Sequence, residues 1–120
     1  MASPNLKNPT TITGITTVVV LGTTAITGIL TNISGSNRVL KINTILAANV
    51  DGTDAADVSV SVLRGGVDYY LAKTVSVPAD ATQILCSKDI YFYLEENVGI
   101  RAQASAADDI HITIGYEEIS

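Results

Sequence analysis

The chain has 120 residues, of which 47% are hydrophobic but only 5% aromatic, with a formal net charge of −5. That length predicts one domain burying roughly two thirds of its unfolded surface. The balance weighs against a nucleic-acid or anionic-membrane partner, because its seven Lys and Arg residues are scattered and form no basic stripe.

With no Trp and one Phe, the core must come from Val, Ile, Leu and Ala, with Thr and Ser on the other faces, a β-rich composition. Charged residues reach only 16%, which favours docking against neighbours. A lone cysteine, Cys86, excludes an internal disulfide or a Cys-based zinc site. It alternates with Ile84 and reads as a small buried apolar group. The start MASPNLKNPT lacks the basic and apolar regions of a signal peptide, and no run of ~18 apolar residues could span a membrane.

Residues 1–14 read as an extended N-terminal arm preceding a single β-sandwich domain at 15–120. Pro4 and Pro9 deny the arm helix and central-strand status. Leu6 and Ile12 are its only large apolar groups, so it reads either as a frayed terminus or as an arm that orders on a neighbouring subunit, the second making Pro4, Leu6, Pro9 and Ile12 candidate contact residues. ITTVVVL (15–21) and TAITGILTN (24–32) read as strands, Gly28 marking a bulge or close approach. Asn32-Ile33-Ser34 matches a glycosylation sequon, discarded without a secretory signal.

Residues 40–64 form the organising stretch: LKINTILAANV, DGTDAAD and VSVSVLR predict a long β-hairpin. Leu40, Ile42, Leu46, Ala48 and Val50 share one face of its first strand. Val58, Val60 and Val62 share one face of the second, opposite Ser59 and Ser61. A Gly65-Gly66 turn follows, then a strand from Asp68 to Val77 with Tyr69, Leu71, Val75 and Val77 on one face. Pro78-Ala79-Asp80 stops it. Thr82–Cys86 and Ile90–Leu94 are the next strands. Val98, Ile100, Ala102 and Ala104 alternate next, and Ile110, Ile112, Ile114 and Tyr116 give the cleanest alternation of all. Eight to ten short strands with frequent turns and no helix predict an all-β fold, an antiparallel β-sandwich or jelly roll.

No constellation calls for an enzyme or a cofactor. Asp51, Asp54 and Asp57 lack the ligand order and closing Glu of an EF-hand, so they read as turn residues and no metal is expected. Glu95-Glu96 and Glu117-Glu118 are adjacent on extended backbone and point to opposite faces, so neither is a carboxylate pair. His111, the one histidine, faces away from the isoleucines. Among five tyrosines, Tyr70, Tyr91 and Tyr93 lie off the expected core face and are candidate contacts for a sugar or a subunit.

MASPNLKNPTTITG, ANVDGTDAADVSVSV, YLAKTVSVPA and YLEENVGIRAQASAADDIHITIGYEEIS together resemble a family of small virion structural proteins of tailed bacteriophages, particularly those infecting marine cyanobacteria. The resemblance spans nearly the whole chain and departs at Asn97-Val98, where many members have Gly-Asp. It rests on strands and turns, so no site residue transfers. It implies a virion component, a capsid decoration or cement protein on the major capsid protein lattice, made in the host cytoplasm. A collar, head-fibre or tail component that binds a host receptor or glycan is the alternative it allows. Either role implies a homo-oligomer, and local three-fold positions of capsid lattices suit a trimer.

Overall fold

The Gly65-Gly66 turn is where the fold begins. Gly65 and Gly66 both hold positive φ, +60° and +78°, the left-handed backbone that a two-residue hairpin turn demands and that only glycine adopts without strain. Around it Arg64 faces Val67. The computed structural model, which describes residues 4–120, contains strands β1 (Ile12–Val20), β2 (Thr27–Asn32), β3 (Val39–Asn49), β4 (Ala56–Arg64) and β5 (Val67–Val77). These are followed by β6 (Thr82–Cys86), β7 (Phe92–Leu94), β8 (Val98–Ala104) and β9 (Ile110–Ile119), with a 3-10 turn at Lys88–Ile90.

Pairing is nested outward from that turn. β4 pairs β5, β3 pairs β6 and β7, β2 pairs β8, and β1 pairs β9, all antiparallel. Arg64 with Val67, Ile45 with Cys86 and Ile12 with Ile119 are each equidistant along the chain from the Gly65–Gly66 bond. The folded-over hairpin is then stitched by β3–β9 and β4–β8 pairing. One sheet has the order β1-β9-β3-β6 with β7 also on β3, and the other β2-β8-β4-β5. Two antiparallel four-strand orders that interleave along the chain define a jelly-roll sandwich, so the all-β expectation holds.

The predicted hairpin at 40–64 does not. β3 and β4 lie in different sheets, and the DGTDAAD link is a crossover between layers. Local alternation cannot tell a hairpin from such a crossover, because both need two amphipathic strands and a polar link.

The predicted face of β3 also changes midway. Register shifts between Ile42 and Thr44, so one extra residue, Asn43, inverts the phase. Leu40 and Ile42 are buried, but then Ile45, Ala47 and Asn49 turn inward, while Val50 is exposed. Leu46 and Ala48, expected in the core, stand on the outer face. A matching shift opposite β6 turns Ile84 outward, 61% exposed, while Cys86 stays buried. Strand β5 slips twice against β4, which leaves Tyr69 and Leu71 exposed and breaks their predicted face. Only Phe92–Leu94 of the expected 90–94 strand pairs; Ile90 belongs to the 3-10 turn and is exposed.

Where no bulge intervenes, alternation is followed closely. Val98, Ile100, Ala102 and Ala104 are buried, as are Ile110, Ile112 and Ile114. The serines of β4 do oppose the valines, yet both are buried. Ser61 Oγ donates to Asp68 Oδ1 at 2.8 Å, and Ser59 Oγ accepts the Thr74 N–H at 2.8 Å.

Two buried asparagines hold the layer crossovers. At the end of β2, Asn32 Nδ2 donates to the carbonyls of Arg38 (2.9 Å) and Leu94 (3.0 Å) and its Oδ1 accepts from Ser36 Oγ. At the end of β3, Asn49 Nδ2 donates to the carbonyls of Asp54 and Val77, both at 3.0 Å, and its Oδ1 accepts the Asp51 N–H. Each side chain satisfies backbone groups that the departing strand would orphan.

At the N-terminus the expected extended arm departs twice: Ile12, Thr13 and Gly14 belong to β1, and residues 5–8 make a turn closed by the Asn8 N–H on the Asn5 carbonyl at 3.1 Å. Thr10 and Thr11 are tied back by N–H donation to the Ser120 carbonyl. Met1, Ala2 and Ser3 of the expected arm lie outside the described residues.

Asn49→Leu should lower unfolding free energy by about 2–3 kcal/mol, because two buried carbonyls lose their donor. Gly66→Ala should cost about 1 kcal/mol from the left-handed backbone alone. Gly14→Ala, at negative φ with nothing within 4 Å of its added Cβ, should leave stability unchanged or slightly raised. Urea denaturation of the three variants measures all of this.

Candidate functional site

The bulge at Asn43 shapes the outer face of the β1-β9-β3-β6 sheet. Cross-strand partners place Val18, Thr113, Leu46 and Ile84 in one row, and Val20, His111, Ala48 and Thr82 in the next. Val18 is 74% exposed. This is an uncharged, largely apolar band across four strands. His111, on the face opposite the isoleucines as expected, sits within it.

Towards the β7 end the same face changes character. Lys41 lies between Glu117 and Tyr93 in cross-strand register. The rings of Tyr91 and Tyr93 meet edge-to-face with centroids 5.7 Å apart. Lys41 Nζ sits 4.3 Å from the Tyr91 ring centre, a cation–π contact. Asn43 Nδ2 donates to Glu117 Oε1 at 3.3 Å, so the bulge residue becomes part of this cluster. Two predicted contact residues, Tyr91 and Tyr93, are therefore brought together.

Tyr70 is not with them. It lies on β5 in the other sheet, opposite Ser61, with Lys73 Nζ 4.5 Å from its ring centre. Beside it Arg101 grips Asp68 with both Nε (2.9 Å to Oδ1) and Nη2. The guanidinium, followed by Ser61, holds the Asp68 carboxyl below its usual range against an opposing effect of burial. Sequence pattern missed this pair because Asp68 and Arg101 are far apart along the chain and meet only through strand order.

The arm residues separate. Pro4 and Pro9 line a shallow cleft of about 250 Å³ with Asn5, Asn8, Asn37 and Ser120. Leu6 is half exposed, and Ile12 has left the arm for β1, opposite Ile119.

The aspartates of the 51–57 link do not converge. Asp51 Oδ1 accepts the N–H of Thr53 at 2.8 Å and of Asp54 at 3.4 Å, turning the chain. Asp57 instead faces a polar cleft with Thr24, Thr74 and Gln103. Among the described residues no three or more His, Cys, Asp or Glu groups are placed to hold a metal ion. The glutamate doublets also divide. Glu95 pairs with Arg64 at 2.7 Å and Glu118 with Arg38 at 2.6 Å, while Glu96 accepts the Gly35 N–H. Burial pushes the Cys86 thiol up from its ordinary pKa, the setting of an inert packing group.

Acidic residues gather at one end of the sandwich. The Asp109 carboxyl is pushed up by burial first, then by Asp51, Asp108 and Asp54.

No family model matches the sequence, and no curated protein matches it either.

Asp109 is raised above its unfolded value, so its charged form opposes folding, and the molecule gains stability as pH falls through the raised value. Asp109→Asn should therefore raise Tm at pH 7, with the advantage shrinking as pH approaches 3.8. Asp68→Asn should lower Tm at pH 7, and that deficit should close as pH falls through the depressed Asp68 value. Thermal unfolding followed by circular dichroism across pH checks both signs.

Proposed function

We propose that this chain is a non-enzymatic virion structural protein of a tailed phage, a capsid decoration protein that binds and stabilises the lattice of the major capsid protein. The observation that carries it is the uncharged band of Val18, Leu46 and Ile84 on a jelly-roll sheet. Exposed apolar area of that kind fits docking onto another protein. The sequence resemblance supports the same reading, and the absence of a catalytic constellation among the described residues is compatible with it. Repetition over a closed shell would turn many modest contacts into strong avidity.

The Tyr91–Tyr93–Lys41 cluster favours a second reading, a collar, head-fibre or tail component that binds a host glycan or receptor. Paired rings beside a cation and the Asn43–Glu117 pair offer both stacking and hydrogen bonding to a sugar.

Immunogold labelling of intact particles separates the two. Even label over the head is the expected result; label restricted to a vertex or the tail assigns the second reading, and no label with the epitope accessible removes both. Removing residues 2–9, which spares β1 and the Thr10–Ser120 tie, should leave a folded domain that binds shells at least about tenfold more weakly, a loss near 1.4 kcal/mol. Co-sedimentation with shells measures it. In the second reading, Tyr91→Ala should abolish glycan-array binding without changing Tm by more than a few degrees.

A further inference from the structure

The thirty-residue span from Asn8 to Asn37 contains no Asp, Glu, Lys, Arg or His. It supplies β1 and β2, the first strand of each sheet. Immediately flanking β1, Thr11 and Ser120 exchange main-chain hydrogen bonds, and Leu21 donates to the Ile110 carbonyl at 3.0 Å. Odd-numbered residues thus pair with β9, and antiparallel alternation turns the N–H and C=O of Ile12, Gly14, Thr16, Val18 and Val20 to the free edge. All five residues are exposed, and among the described residues no strand pairs with that edge.

An unpaired edge is normally blunted by charge, proline, a bulge or shortness. β1 has none of these: its nine residues pair with β9 without a register shift. The other edges are blunted. β2 shifts register between Gly28 and Leu30, β5 slips twice and carries Asp68 and Lys73, and β6 has five residues and a shift.

We propose that β1 pairs antiparallel with β1 of a second copy of this chain, across a two-fold axis at Thr16. That register places Thr16 opposite Thr16, Gly14 opposite Val18 and Ile12 opposite Val20. Every residue whose main chain faces the edge then meets another such residue and exchanges two hydrogen bonds with it. Val18, the most exposed strand valine, comes to lie beside Gly14, where a Cβ would meet nothing within 4 Å. Charge selects this strand for self-pairing. Two copies at −5 each repel, but along β1 no like charges oppose one another. A neighbour's N-terminal arm fits the edge less well, since Pro4 and Pro9 lack the N–H groups it would need. The pairing does not depend on where the protein acts, so it stands or falls apart from the virion reading.

Sedimentation of the full chain over a wide concentration range should show the 12.5 kDa protomer in equilibrium with a dimer. Thr16→Lys opposes two ammonium groups and should weaken the dimer about tenfold or more. Thr16→Pro removes only an edge-facing N–H and should weaken it too, with circular dichroism confirming the fold. On the native fold, Thr16→Cys should oxidise to a cross-linked dimer, because its two Cα atoms would sit about 5.5 Å apart. Thr13→Cys, opposite Val19, should not, and Cys86 is buried. A chain monomeric at all concentrations, a trimer, or a dimer indifferent to both Thr16→Lys and Thr16→Pro would overturn the proposal. So would a dimer that survives Thr16→Lys but is lost on deleting residues 2–9, which would assign the edge to a partner's arm.

Discussion

The left-handed backbone at Gly65 and Gly66 is the constraint on which the rest of the structure depends. Because the pairings of β4–β5, β3–β6 and β1–β9 are centred on that turn, the chain behaves as one long hairpin rolled into two layers. The terminal strands β1 and β9 are its open end, which is why Thr10, Thr11 and Ser120 are bonded together. Rolling requires the paired strands to change layers together. The links that permit it, after β2 and after β3, each carry a buried asparagine that caps the abandoned backbone.

Bulges set what the rolled sheet shows to its surroundings. Without Asn43 as an extra residue, Leu46 would face the core. With it, the outer face gains the row of Val18, Thr113, Leu46 and Ile84. The same inserted side chain reaches Glu117, whose cross-strand partner Lys41 lies over the Tyr91 ring. The Asn43 bulge thus turns Leu46 into the apolar band, which the separate shift opposite β6 completes with Ile84, while the Lys41, Tyr93 and Glu117 register precedes the bulge. The opposite sheet is organised differently. Its outer face is held by the Ser61–Asp68–Arg101 network, in which a half-buried carboxylate is satisfied on both oxygens.

These surfaces are what the proposed assembly would use. Apolar exposure, few charges and an unblunted edge all lower the cost of bringing another chain close. Apart from Glu117 in the aromatic cluster, negative charge gathers at the end where Asp51, Asp108 and Asp109 meet. There burial first, then the neighbouring carboxylates, push the Asp109 carboxyl up.

The amino-acid sequence by itself determined the strand content, the Gly65-Gly66 turn, the bulge at Gly28 and the inward faces of β8 and β9, because each is encoded by neighbouring residues. That Tyr91 and Tyr93 lie off the core face was legible for the same reason: they flank Phe92, although Tyr91 caps the 3-10 turn and only Tyr93 belongs to β7. Only the tertiary structure decided that the strands at 39–49 and 56–64 part into different sheets, since pairing is chosen between residues far apart and either choice satisfies local alternation. It also decided the outward turn of Leu46 and Ile84, because one inserted residue inverts every side chain beyond it without altering the pattern on either side. The Asp68–Arg101 pair and the free edge of β1 were invisible for the same physical reason. Both are properties of strand order, which burial of the whole core selects.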